Sequence, residues 1–254
     1  MGSHRWPRGG GSVSPEPLLR VERLGKRFGG FRALDGVSFH IDRGEVLGLV
    51  GPNGSGKTTC INVISGLYAP DEGNVLFAGR SVGGRKPHLL ARSLINRTFQ
   101  SPRPFLSLTV RENVEIAATY GRASTAAPAV DVVLERLGLA AEAARRAEDL
   151  NSAHQKLLDL ARALATGPRL LLVDEIAAGL NPAELLLMAD RLRALAAEGM
   201  ALLVVEHLMG FLERVTDRVI VMNAGREIFD GRLAEAVRDT EVVRVFLGGA
   251  AHGG

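Results

Sequence analysis

The stretch Gly51-Pro52-Asn53-Gly54-Ser55-Gly56-Lys57-Thr58-Thr59 constrains this chain more than any other. Its spacing of one glycine, four residues and then Gly-Lys-Thr is that of a phosphate-binding loop. The flanks fit the same reading. The apolar run Val46-Leu47-Gly48-Leu49-Val50 reads as a buried strand, and residues 59–67 carry Ile61, Val63, Ile64 and Leu67 at the spacing of a helix packed on a sheet. In such a strand–loop–helix unit, Gly51, Gly54 and Gly56 let the backbone curl until its N–H groups converge on one cavity. The helix that follows turns its positive end to the same cavity. Lys57 adds a mobile charge for β- and γ-phosphates, and the Thr58 hydroxyl is placed to ligate Mg²⁺. The competing reading, a glycine-rich turn before an ordinary helix, leaves the Lys-Thr pair and the apolar strand unexplained.

A second strand signal ends in acid. Arg169-Leu170-Leu171-Leu172-Val173-Asp174-Glu175 is an apolar run closed by two carboxylates. In α/β sheets the carboxyl ends of strands are where ligands bind. Asp174 is therefore read as a holder of Mg²⁺, directly or through water, and Glu175 as the base that polarises an attacking water. Ala201-Leu202-Leu203-Val204-Val205 is a further central strand, closed by Glu206-His207. A lone histidine is more often structural than catalytic, but at such a strand end His207 can donate to a γ-phosphate. Gln100 closes a strand signal over 94–99 and is read as reaching the Mg²⁺ or the attacking water. Phe28, upstream of the loop, offers a π-face for adenine; alternatively, Phe28 or Phe31 covers a small sheet.

The remaining elements set the architecture. Strands are expected at 18–21, 33–39, 74–77 and 218–222, a turn at 25–30, and a hairpin at 225–229. Helices are expected at 87–93, 110–120, 130–137, 182–197 and 233–247. An alanine-rich stretch over 140–147 has charges spaced for a solvated helix face, and 154–165 reads as one helix capped by Asn151 or Ser152. Together these describe an α/β fold: a mostly parallel sheet with helices, a small antiparallel β part, and a helical lobe inserted at about 101–163, with a joint at 126–128. Residues 1–17, rich in Gly, Ser, Pro and Arg, are expected to be a disordered tail holding the single tryptophan, Trp6; 248–254 would be a flexible end.

Composition excludes several partners. A net charge of +3 with no run of Lys or Arg gives no support for nucleic acid. The one cysteine, Cys60, rules out an internal disulfide and reads as filler at the start of the helix. No apolar stretch approaches the ~20 residues that span a bilayer, and the N-terminus lacks an export-type apolar run.

Taken together, residues from about 18 to 247 resemble the ATP-binding subunit of an ABC transporter, a P-loop NTPase. The resemblance implies that 51–59 is Walker A, Gln100 the Q-loop, Asp174 the Walker B acid and Glu175 the catalytic base. It also implies that Ala178-Gly179-Leu180-Asn181 is the D-loop and His207 the switch histidine, and it puts Phe28 where the family has its adenine-stacking aromatic. Arg97-Thr98-Phe99-Gln100, Phe105, Thr109-Val110-Arg111-Glu112-Asn113-Val114, Ala177-Ala178-Gly179-Leu180-Asn181-Pro182 and the closing Phe-Leu-Gly are similar to branched-chain amino acid importers. The subgroup includes urea and amide importers, and lipopolysaccharide-exporting ATPases resemble it.

Two departures stand out. Ile176 replaces the proline usual after the catalytic glutamate. The family's Leu-Ser-Gly-Gly-Gln motif, which completes the ATP site of a partner chain, corresponds to Leu150-Asn151-Ser152-Ala153-His154. Asn151 replaces the serine that bonds the γ-phosphate, and Ala153 puts a Cβ where close backbone approach is needed. The resemblance implies ATP and Mg²⁺ as cofactors. Its implied partners are a second ABC ATPase chain of a different kind, transmembrane permease subunits and, indirectly, a solute-binding protein. The location would be the cytoplasmic face of the membrane, peripherally held. The rival reading is an ATP-gated partner chain with little turnover, which the altered motif supports and Glu175 and His207 oppose. A soluble DNA-repair or translation ATPase lacks support, since such proteins usually carry coiled-coil inserts or two ATPase units.

Overall fold

The computed structural model describes residues 16–98, 103–121 and 127–248. Gln100, Phe99, Trp6 and residue 126 of the expected joint lie outside that set. Strands β1 (Leu19–Phe28) and β2 (Phe31–Ile41) pair antiparallel around Gly29-Gly30. Residues 25–28, expected as a turn, belong to β1: Gly25 is paired with both Asp35 and Glu72, and the left-handed φ of 57° falls at Gly29 instead. After β3 (Val46–Val50) comes α1 (Lys57–Ile64). That helix stops short of Leu67, which is exposed, because Gly66 turns left-handed with φ 76°. Strands β4 (Glu72–Phe77) and β5 (Arg80–Ser81) complete a four-stranded antiparallel sheet in the order β2-β1-β4-β5.

Next come α2 (Pro87–Arg92), β6 (Ile95–Arg97), α3 (Val110–Gly121), α4 (Val130–Arg136) and α5 (Ser152–Leu164). The helix expected over 140–147 is absent; two short 3-10 turns stand there, Ala140–Glu142 and Ala147–Asp149. The carbonyls of Ala143 and Arg145 accept the N–H groups of Arg111 and Val110 at the start of α3, so they are not offered to a helix of their own.

The chain then runs through β7 (Leu170–Asp174), α6 (Pro182–Ala197), β8 (Ala201–Val205), α7 (Met209–Val215), β9 (Arg218–Asn223), β10 (Arg226–Gly231), α8 (Leu233–Ala236) and α9 (Thr240–Gly248). The single helical region expected at 233–247 is thus two helices. Asp239 divides them: its Oδ1 accepts the N–H groups of Glu241 and Val242 and so caps α9. Asn181 starts α6 with a reciprocal capping box to Glu184.

The second sheet runs β10-β9-β3-β8-β7-β6, parallel throughout except for β10. Its apolar strands supply both cores by alternation. Val46, Val50, Leu171, Val173, Leu202 and Val204 face one side, against Leu158, Leu192 and Phe211 of the helices. Leu47, Leu49, Leu170, Leu172, Leu203 and Val205 face the other, against Ile61 and Ile64 of α1 and Leu19 and Leu34 of the small sheet. Burial on both faces explains why these strands read as unbroken apolar runs.

Candidate functional site

Four neighbouring parallel strands deliver the site from their carboxyl ends. β3 leads into residues 51–59, β8 ends before Glu206-His207, β7 ends in Asp174 and leads to Glu175, and β6 ends at Arg97, three residues before Gln100. These are the places where a doubly wound sheet gathers a ligand.

The glycine loop is shaped by close backbone contacts. At Gly51 φ is 148°, and a Cβ there would lie 2.2 Å from the Met222 carbonyl oxygen. At Gly56 φ is 106°, and a Cβ would lie 2.7 Å from the Ala33 carbonyl oxygen. The outside of the loop is stitched down, as the Gly225 N–H donates to the Ser55 carbonyl at 2.9 Å and the Asp35 N–H to that of Gly225 at 2.8 Å. Within the loop the buried Ser55 hydroxyl has no hydrogen-bond partner among the described residues. Lys57 Nζ donates back to the carbonyls of Gly51 (2.7 Å) and Pro52 (3.0 Å). Burial lowers its pKa, while the charges of Glu175 and Asp174 raise it, so loop and acids share one electrostatic neighbourhood. Asn53, Gly54 and Thr58 are exposed, and Pro52 and Thr59 half-buried. Cys60, just beyond, is an inert core thiol, its pKa pushed up to about 12 chiefly by burial.

The acids are held from several sides. Asp174 accepts from Arg97 Nη2 at 2.6 Å, both side chains being about nine-tenths buried. Glu175 takes a left-handed φ of 47° and donates its N–H to the Val205 carbonyl at 2.9 Å. Such a backbone costs on the order of 1 kcal/mol in a residue with a side chain and persists where surroundings enforce it. Two buried charges enforce it here. Lys156 of α5 donates to the Ile176 carbonyl at 2.9 Å, and Glu206 Oε1 accepts the Ala177 N–H at 2.7 Å. Between them they grip the turn that would otherwise carry a proline at 176. Sequence reasoning gave neither residue a role: Lys156 follows His154-Gln155 in an amphipathic helix, and Glu206 reads as a polar strand end.

Burial pushes the Glu206 carboxyl above its ordinary 4.5, partly opposed by the Ala177 and His207 N–H groups. Its ionisation therefore costs folding stability, a cost absent below pH 4.5 that accumulates above it until the folded carboxyl also titrates, and stays constant beyond. Glu206→Gln keeps an acceptor for Ala177 and removes the charge. The stability of the variant relative to wild type is expected to rise between pH 4.5 and 7, as followed by chemical denaturation at each pH. Parallel profiles would mean that the Glu206 carboxyl titrates alike in the folded and unfolded protein, with no shift from burial.

His207 stands at the rim, its side chain 61% exposed and its Nδ1 4.0 Å from Glu206 Oε2. Phe28, 42% exposed, meets Tyr68 edge to face with centroids 5.2 Å apart. Tyr68 lies beyond the C-terminal end of α1, whereas the loop precedes that helix; it is β2 of the same hairpin, at Ala33, that abuts Gly56. Asn151 caps α5: its Oδ1 accepts the His154 N–H at 2.8 Å and lies 2.8 Å from His154 Nδ1. Asn151 and Ser152 are exposed and Ala153 is half-buried. Among the described residues no group of three or more His, Cys, Asp or Glu is arranged to hold a metal ion, and no helix is long and apolar enough to cross a membrane.

Residues 34–178 match the family model described as ABC transporter. The high-affinity branched-chain amino acid transport ATP-binding protein LivG of Salmonella typhimurium is 35% identical, covering 92% of this chain and 99% of its own length. The counterpart BraF of Pseudomonas aeruginosa is equally similar, with the same coverage. A crystal structure of the ADP conformation of an ABC transporter ATP-binding cassette superposes with a TM-score of 0.83 at 34% identity, covering 91% of this chain and 99% of that one. A nucleotide-free cassette superposes with the same score at 32% identity, covering 91% and 98%.

Proposed function

The chain belongs to the ABC transporter family, and on that premise we propose that it is the ATP-binding and hydrolysing subunit of an importer for branched-chain amino acids or related small polar solutes. The observation that carries this reading is the convergence of Lys57, Asp174, Glu175 and His207 at the ends of adjacent parallel strands. Lys57 binds the β- and γ-phosphates and the loop N–H groups cradle them. Glu175 takes the proton of the attacking water, His207 donates to the γ-phosphate, and Gln100 orients the water. Phe28, which has Tyr68 and the Lys26 ammonium (5.7 Å from the ring centroid) against its ring, is the candidate for stacking on adenine.

The residues present suit Mg²⁺. The Thr58 hydroxyl and Asp174 would hold it with phosphate oxygens, the sparse protein ligation this ion accepts, and a dedicated protein cage is absent among the described residues. When bound, Mg²⁺ supplies neutralisation of charge on the β- and γ-oxygens.

In this reading two ATPase chains sandwich two nucleotides at the cytoplasmic face, peripherally, against permease subunits fed by a solute-binding protein. Residues 151–153 then face the partner's nucleotide. The Asn151 side chain is committed to capping and to His154, and Ala153 adds a Cβ, which favours a different partner chain with an ordinary motif. Asn151→Ser with Ala153→Gly is expected to raise the ATPase activity of the isolated chain severalfold under ATP excess. Co-reconstitution with its permeases is expected to give ATP-dependent uptake of leucine. Brisk hydrolysis by the unaltered chain alone, with no gain in the double variant, overturns the mixed pair; failure of leucine and related solutes to be taken up overturns the substrate class.

A further inference from the structure

Arg97 is the last residue of β6, and its side chain, 10% exposed, bonds three side chains on two elements of the site among the described residues. Nη2 donates to Asp174 Oδ2 at 2.6 Å, and Nη1 donates to Asn62 Oδ1 at 2.6 Å and to Ser65 Oγ at 3.1 Å. Asn62 lies in α1, the helix that begins at Lys57, and Ser65 is its C-cap. One planar group thus ties the carboxylate at the end of β7 to the helix that carries the phosphate loop. A lysine has a single charged atom and cannot hold all three acceptors in that plane.

We propose that Arg97 is a positioning residue for the metal-binding carboxylate. By engaging Oδ2 and being braced on α1, it fixes the rotation of Asp174 and leaves Oδ1 for the cation or a cation-bound water. The inference rests on the reading of Asp174 as the Mg²⁺ ligand. Its physical basis is the burial of the carboxylate. A side chain 9% exposed, beside the second acid Glu175, is poorly hydrated. Deprived of Arg97 it loses its 2.6 Å hydrogen-bond partner and the brace on α1, and is free to turn away. That rotation removes it from the cation. Groups that hydrogen-bond a metal ligand from behind typically govern metal affinity in this way. A guanidinium that only brackets the sheet to α1 would affect unfolding and leave the metal site alone.

The test uses the full chain as wild type, Arg97→Met and Arg97→Lys, with a non-hydrolysable ATP analogue and Mn²⁺ as the paramagnetic probe. Analogue affinity is first measured in EDTA, where the glycine loop and Lys57 carry binding. It is expected to change by less than about threefold in the variants, which verifies the fold and the loop. Mn²⁺ affinity of the analogue complex is then measured by electron paramagnetic resonance. Arg97→Met is expected to weaken it by about tenfold or more, and Arg97→Lys to give a smaller loss, since charge is kept while the three-way hold is broken. Unchanged or tighter Mn²⁺ binding in Arg97→Met overturns the proposal, the second outcome showing Arg97 to be a competing charge. If Arg97→Met does not fold, Arg97→Lys decides, and wild-type Mn²⁺ affinity in it overturns the claim. Absence of any nucleotide-dependent Mn²⁺ binding in the wild type would instead sink the assignment of the site.

Discussion

Glu175→Gln is expected to lower the rate of ATP hydrolysis by about 10²–10⁴-fold, the range that a positioned general base contributes. The substitution is chosen because it alters chemistry and little else. The turn at 175 is held through backbone atoms, by Lys156 on the Ile176 carbonyl, by Glu206 on the Ala177 N–H, and by the Glu175 N–H on Val205. Glutamine keeps the shape and all three bonds, and it meets the left-handed φ of 47° no worse than glutamate. What it cannot do is accept a proton from water. Nucleotide affinity should therefore stay near wild type, and the ATP-bound pair of chains should persist when the proper partner is present. Single-turnover hydrolysis measures the first effect and size-exclusion chromatography with ATP and Mg²⁺ the second. Wild-type turnover in this variant moves the base to another residue, and His207 would be the first to examine.

The parts legible in the sequence are those set by local chemistry. The glycine loop and the acid pair after an apolar run each carry their signal within a few residues. Their meeting at one sheet edge followed from the rule for carboxyl ends of parallel strands, and the order β3-β8-β7-β6 realises it. What escaped the sequence depends on distant partners. Gly25 looks like turn chemistry but pairs with two strands at once. The stretch over 140–147 has helical spacing, yet its carbonyls are taken by the start of α3. α7 went unread because it is short and only Phe211, Leu212 and Val215 of it are buried. In the site, Lys156 and Glu206 act on backbone atoms 20 and 29 positions away, and no local pattern announces such bonds. Arg97 fell within a quoted motif, but its grip on Asp174 across 77 positions shows only in three dimensions.

Lys57→Ala is expected to weaken ATP binding by at least about 2 kcal/mol, or roughly 30-fold, the scale of losing a charge-assisted hydrogen bond. Lost charge and a damaged loop are separable effects here, because Lys57 also closes the loop onto the carbonyls of Gly51 and Pro52. The loop's outer fastenings remain, from Gly225 to Ser55 and from Asp35 to Gly225. The close approaches of Met222 and Ala33 to Gly51 and Gly56 also persist, so the curled backbone should survive. Removing Lys57 also leaves Asp174 and Glu175 without the cation whose pKa they raise, which adds repulsion toward the phosphates. The loss should accordingly grow with phosphate number: small for AMP, larger for ADP and largest for ATP. Calorimetric titration of the three nucleotides into wild type and variant reads this gradient directly. An equal loss for all three would mean that the loop itself has collapsed, and unchanged ATP affinity would mean that residues 51–59 do not hold its phosphates.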